Sequence, residues 1–310
     1  MEVINKFNTP ILFMVFNRPE LTLKVFEEIR KVKPAKLYIA ADGARSVREG
    51  EKEKCIKTRE VIKHIDWECD VKTLFRDENL GCKMAVCSAI NWFFEMEEEG
   101  IILEDDSLPN QSFFFFCEEL LIKYRNTDKI MQIGGNNFQP GMESEFSYYF
   151  SRYCNMPGWA TWRRAWAKYD VAIKELPDFI KENRIEKIFG SNSSRYYWLY
   201  QFWQVYKNKI DTWDYQWAFT VWNNDGLCIS PTKNFISNIG YNADATHTTS
   251  GNERLAELKT EQISRIIHPK IIQRDFRADK KAEKVQYNIT YVKKIISWGF
   301  INCVKLNLIK

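Results

Sequence analysis

The 310 residues contain no Gly-x-x-x-x-Gly-Lys-[Ser/Thr] loop and no Gly-x-Gly-x-x-Gly turn, so both usual glycine-rich phosphate cradles are missing. Histidine is scarce: His64, His247 and His268 are the whole supply, which excludes a multi-histidine metal site. None of the eight cysteines forms a Cys-x-x-Cys pair, which argues against a zinc ribbon or a dithiol redox centre. Their scatter suits reduced, partly buried thiols in a cytosol. No apolar run approaches the ~20 residues that span a bilayer. The run ILFMVF (11–16) is six residues long and ends in Asn-Arg-Pro, so it reads as a buried strand and not as a secretory signal. A net charge of +4 is too mild for nucleic acid to be the main partner. The expectation is a cytoplasmic protein, soluble or peripheral at the inner face of a membrane.

What is present is an alternation of strand and helix signals over residues 1–139. ILFMVF (11–16) is a continuous apolar run, as a buried parallel strand is, and LYIAA (37–41), VKTLFR (71–76), IIL (101–103) and IMQI (130–133) read as the strands that follow it. Between the first two, Leu21, Val25, Phe26, Ile29 and Val32 share one helical face, with Pro19 suited to a first turn. A charged helical stretch is expected over roughly 46–64, and an amphipathic helix carries Ala85, Val86, Ala89, Ile90, Phe93 and Phe94. Ser112 reads as the N-cap of SFFFFCEELLIKY. Strands separated by helices imply right-handed crossovers and a mostly parallel sheet.

Residues 140–250 lose this periodicity and carry eight of the 11 Trp, between Trp159 and Trp222, so they read as a second half packed on the first. Residues 251–310 form a basic, helical tail with 13 Lys/Arg against six Asp/Glu, a net +7. Such a tail suits either packing on the body or peripheral contact with an anionic membrane.

The polar residues that follow the strands are the informative ones. Arg18 follows the first, Asp42 the second, Asp77 and Asn79 the third, and Glu104, Asp105 and Asp106 the fourth. Carboxyl ends of parallel strands line one crevice, where ligands bind. Each residue has a plainer reading alone: a turn, a helix cap or a solvated acidic cluster. Together they place carboxylates without nearby His or Cys, a donor set for a hard cation such as Mg2+ or Mn2+.

FNRPE (16–20), AADG (40–43), RDENLGC (76–82), ILEDD (102–106), PGWATW (157–162) and WDYQW (213–217) occur in one order over roughly 10–220. In this set the chain resembles the GT-A glycosyltransferases, which bind nucleotide-diphosphate sugars. Within them it resembles the branch of the eukaryotic β-1,2-N-acetylglucosaminyltransferases and related bacterial sugar transferases. The resemblance implies an α/β, Rossmann-like mixed sheet, mostly parallel and flanked by helices, with a Trp-rich acceptor lobe and a C-terminal helical tail. It implies Arg18 and Asp42 at a uridine base, Asp77 and Asn79 beside the nucleotide, Glu104 and Asp105 at ribose and nucleotide, and Asp106 on Mn2+ or Mg2+. It places the catalytic base at Asp214. The family has a second Asp there, whereas here Tyr215 follows, so Asp211 is the alternative. His247 is a candidate near the diphosphate or metal, with an exposed loop histidine as the plainer reading.

The implied activity is a metal-dependent, inverting transfer of N-acetylglucosamine or a similar sugar from a UDP-sugar. The acceptor would be a glycan or lipid-linked saccharide, in bacterial cell-surface polysaccharide synthesis. Trp159, Trp162 and Trp217, with Gly158, are candidates for a platform meeting sugar rings, although most of the Trp are expected to pack in the core. The competing readings are a sugar-nucleotide nucleotidyltransferase, which normally carries a glycine-rich signature near the first strand, and a non-catalytic carbohydrate-binding protein.

Overall fold

The computed structural model describes residues 7–139, 141–189, 191–240, 258–287 and Gly299. The chain begins β1 (Ile11–Val15), α1 (Pro19–Val32), β2 (Lys36–Ala41), α2 (Glu51–Arg59), β3 (Asp70–Phe75), α3 (Gly81–Met96) and β4 (Glu99–Glu104). It continues with a short β5 (Ser107–Pro109), α4 (Gln111–Tyr124), β6 (Ile130–Gly134), β7 (Tyr148–Ser151), β8 (Trp159–Trp162) and α5 (Arg163–Trp166). Next come α6 (Leu176–Lys181), α7 (Ile185–Ile188), α8 (Asn192–Tyr206), α9 (Asp214–Asn223), β9 (Leu227–Pro231), β10 (Ile236–Asn238) and α10 (Phe276–Ala282).

Eight strands form one mixed sheet in the order β3-β2-β1-β4-β8-β6-β9-β7. Six of them point the same way; only β7 and β8 run against the rest. The expected α/β fold with a mostly parallel mixed sheet flanked by helices is what the chain adopts. Alternate residues of β1 serve opposite faces. Leu12 and Met14 join the core beneath α3, α8 and α9, while Ile11, Phe13 and Val15 join the core beneath α1 and α4.

Three local expectations change. The charged stretch after β2 is helical only from Glu51, behind Gly50 at φ 72°, and tightens to a 3-10 turn over Glu60–His64. The cap of α4 is Asn110, whose side chain accepts from Phe113 N at 3.2 Å. Ser112 lies inside the helix and its hydroxyl accepts from Ile263 N at 3.0 Å. The third change concerns residues 140–250. β7, β8 and β9 complete the same sheet, so the sheet crosses residue 139. These strands have four or five residues, all buried, and therefore show no alternation to read.

Of the C-terminal tail, the segment 258–287 is described and packs along the β7 edge. Asp275 N donates to Phe150 O, and Ser147 N donates to Ile267 O. The rest of the tail, apart from Gly299, lies outside the described residues. No helix among the described residues is long and apolar enough to cross a membrane.

Candidate nucleotide-binding cleft

The carboxyl ends of β1 to β4 open into one cleft of about 600 Å³. Its lining includes Arg18, Asp42, Asn79 and the acids Glu104, Asp105 and Asp106, so four separate loops do converge there. Asp211 lines it as well. Asp77 is exposed and absent from the lining.

At one end lies the acid triplet. β4 is buried until Glu104, and the antiparallel pair β5–β10 begins at once behind Asp106. Ile239 N donates to Asp106 O at 2.9 Å, and a Cβ on Gly240 would lie 2.3 Å from Asp106 Oδ2, so this turn is tightly enclosed. Arg18 Nη1 reaches Asp106 Oδ2 at 2.7 Å and Asp105 Oδ1 at 3.4 Å. Phe16 N donates to Asp105 Oδ2 at 3.2 Å. Burial, then the charge of Asp106, pushes the Asp105 carboxyl up to about 7, with Arg18 and Phe16 N pulling it down. Glu104 is pushed to about 8 by burial and then by Asp106, Asp105 and Asp214, against the pull of Arg18. One arginine does not balance three acids, and burial with mutual repulsion holds the Glu104 and Asp105 carboxyls above the ordinary carboxylate range.

At the other end Asp42 and Asn79 form a closed unit. Asp42 Oδ2 accepts from Asn79 Nδ2 at 2.9 Å and from Gly81 N at 3.2 Å, while Oδ1 accepts from Leu80 N at 3.0 Å. Asn79 Nδ2 also donates to Gly43 O at 2.8 Å. Both neighbours of this nitrogen are acceptors only, so the amide has a single orientation that satisfies them. Its Oδ1 then accepts nothing from the described residues, and Asn79 lines the cleft. Glycine at 43 is required by close approach, since a Cβ there would lie 2.3 Å from the Glu78 carbonyl carbon. The Asp77–Glu78 backbone thus packs on Gly43 while the Asp77 side chain faces solvent.

Two arginines in the lining were not singled out from the sequence, where nothing separates them from surface residues. Arg45 is held by Glu51 and lies 5.5 Å over the Phe16 ring. Arg76 donates to Ser88 Oγ at 2.8 Å and has no ion pair among the described residues. Burial lowers its guanidinium below the ordinary value, against the pull of Asp42. The cleft is therefore acidic at the β4 end and carries charges of both signs toward β2 and β3.

The two base candidates separate. Asp211 is exposed, lines the cleft and sits 3.1 Å from the position of a Cβ on Gly81. Asp214 starts α9 outside the lining, and its Oδ1 accepts from Thr212 Oγ1 and from Tyr215 N at 2.9 Å.

The Trp candidates lie in the core. Trp159, Trp162 and Trp217 are each no more than 1% exposed. Trp159 stacks on Trp213 at 5.7 Å and packs on Trp217, whose Nε1 donates to Gln132 Oε1 at 2.8 Å. Trp162 points to the opposite face and donates to Leu121 O at 3.2 Å. Gly158, at φ 58°, makes its close approach to Ile236, 2.5 Å from the position of a Cβ. His247 lies outside the described residues. His268 is structural, bonded to Tyr148 at 2.9 Å and Glu119 at 3.0 Å.

For a cation the donors are all oxygen. Among the described residues no group of three or more His, Cys, Asp or Glu is arranged as a metal centre. Among the described residues Glu104 accepts no hydrogen bond and nothing bonds Asp106 Oδ1. Two such carboxylates fit a hard divalent ion that draws its other ligands from water and phosphate.

No protein-family model matches the chain, and no curated protein matches it. Among solved structures it is similar to TarS from S. aureus, at 10% identity and TM-score 0.42, over 74% of this chain and 59% of that one. It is similar to a cytidylyltransferase from Leptospira borgpetersenii, at 14% identity and TM-score 0.34, over 53% and 64%. It is also similar to a UDP-glucose pyrophosphorylase, at 10% identity and TM-score 0.38, over 75% and 93%. The chain thus spans less than two thirds of the first two, and at these TM-scores the likenesses supply no residue correspondence.

Proposed function

We propose that the protein is a glycosyltransferase that binds a UDP-sugar in the cleft at the ends of β1 to β4. The observation that carries the reading is Asn79, whose amide is held by Asp42 and Gly43 O so that Oδ1 presents an acceptor to the ligand. Uracil offers N3–H to such an acceptor, whereas cytosine has an unprotonated N3 there. In this reading Asp42 holds the loop and Asn79 reads the base. Arg45 and Arg76 supply positive charge along the nucleotide, and the acid triplet lies at the phosphate end.

Glu104 and Asp106 would hold Mg2+ or Mn2+, which as a Lewis acid offsets charge on the departing diphosphate. Asp211 takes the proton of the acceptor hydroxyl as its oxygen attacks the anomeric carbon opposite the leaving group. The new C–O bond forms as the bond to the diphosphate breaks, through an oxocarbenium-like state, and the configuration inverts. The donor sugar is N-acetylglucosamine or a relative, and the acceptor a glycan or lipid-linked saccharide of the bacterial surface, handled on the cytoplasmic side. A UDP-sugar nucleotidyltransferase is the second reading, favoured by Arg76, a cleft cation that makes no ion pair among the described residues.

The test offers UDP, CDP and GDP for binding by calorimetry, with Mn2+ and with chelator, then follows turnover. UDP release from UDP-sugar with saccharide acceptors supports transfer. Pyrophosphate release from UTP and a sugar 1-phosphate supports the second reading. Equal binding of CDP and UDP sinks the role of Asn79.

A further inference from the structure

Residues 270–284 hold six Lys or Arg and three acids, but the fold sorts them to opposite sides. All three acids are engaged in bonds within the fold, and none is exposed. Asp275 caps α10, accepting from Arg277 N and Ala278 N at 2.9 Å. Asp279, 1% exposed, accepts from Ser151 Oγ and lies 2.6 Å from Arg274 Nε. Glu283 accepts from Tyr153 OH at 2.9 Å and pairs with Arg152 at 3.3 Å. Ala278 and Ala282 complete the buried side of α10.

The other side carries Lys270, Arg277, Lys280, Lys281 and Lys284, all exposed. Positions 277, 280, 281 and 284 follow the spacing of one helical stripe. Exposed apolar side chains stand among them: Ile271 is 70% exposed and Phe276 64%, the latter with the Arg274 guanidinium 4.5 Å over one face of its ring, and Ile272 lies beside them. No exposed acid falls within 270–284. The segment lies along β7, the last strand of the sheet, where Arg274 bridges to Phe150.

We infer that this face of residues 270–284 docks on an anionic lipid bilayer. Cations alone would suit any polyanion. Large apolar side chains held out in water among them gain free energy only where they can enter an apolar phase, and a headgroup–acyl boundary supplies both environments. The face is distinct from the nucleotide cleft, so it stands or falls independently of the proposed activity. It would hold the enzyme at the membrane surface.

The test is co-sedimentation of the full chain with phosphatidylcholine vesicles, without and with about one third phosphatidylglycerol. Binding is expected only to the anionic vesicles and should weaken with salt. The triple variant R277E/K280E/K281E should lose roughly 100-fold in partitioning. I271S/F276S should lose most of the remaining salt-resistant binding. Both variants should keep the wild-type melting temperature within a degree or two. Lys293 and Lys294, outside the described residues, serve as the control: K293E/K294E should retain binding within a few-fold. Unchanged partitioning of the triple variant overturns the inference. So does loss only in K293E/K294E, or tighter binding to a single-stranded RNA oligonucleotide than to the anionic vesicles.

Discussion

The Arg18 guanidinium lies 2.7 Å from Asp106, the carboxylate expected to meet the cation, and 3.4 Å from Asp105. It is the one basic side chain bonded to the acid triplet among the described residues, and both partners sit where β1 and β4 end side by side. Arg18→Ala should therefore weaken nucleotide binding and increase the dependence on divalent cation. A tenfold or greater rise in the UDP dissociation constant is expected, since a charge-assisted bond contributes about 1.5–3 kcal/mol. Calorimetry at fixed Mn2+ checks it.

The raised carboxyls set a pH dependence. Glu104 and Asp105 bind protons more tightly in the folded chain than in the unfolded one, with folded values of about 8 and 7. The folded state therefore holds the extra protons between the ordinary carboxylate range and those values. Stability is full at the low end of that window and falls as pH rises through it. Melting temperature measured in chelator should drop from pH 5 to pH 8.5, and Mg2+ or Mn2+ should flatten the drop. A melting temperature that rises with pH over this range would contradict the assignment.

Asp42 should matter for folding more than for contact with ligand. Asp42→Ala leaves the Leu80 and Gly81 amides and the Asn79 side chain without their acceptor, at about 2–4 kcal/mol. Denaturant unfolding measures this directly. Asn79→Asp, which sets two carboxylates against each other, should in addition erase any preference for UDP over CDP.

Asp211 and Asp214 can be told apart by kinetics. Asp211→Asn should lower kcat by roughly 10²–10⁴-fold with little change in donor KM. Asp214→Asn should alter kcat less than about tenfold, because that carboxylate is engaged at the start of α9. The reverse pattern would return the base to Asp214.

The buried tryptophans predict a stability effect. Trp217→Ala should cost about 3–5 kcal/mol in unfolding free energy. Trp159→Phe, which keeps a ring in the stack on Trp213, should leave acceptor KM unchanged where the chain still folds. A selective rise in acceptor KM would restore the platform reading.

Local sequence was enough for β1 to β4, their helices and the order of polar residues behind them. β1, β2 and β4 centre on contiguous apolar runs, while β3, at the sheet edge with no buried residue, is marked by the turn residues that follow it. The same logic put Arg18, Asp42, Asn79 and Glu104–Asp106 in one crevice, because parallel strands share a carboxyl edge. Tertiary structure decided what those residues do there. That Asp42 spends its oxygens on residues 79–81, that Arg18 crosses from β1 to Asp106, and that Arg76 faces the cleft depend on contacts between segments tens of residues apart. The same holds for the Trp residues and for the charges of 270–284. A ring is a platform or core, and a basic stretch a mixed surface or a purely cationic one, according to which side the packing buries.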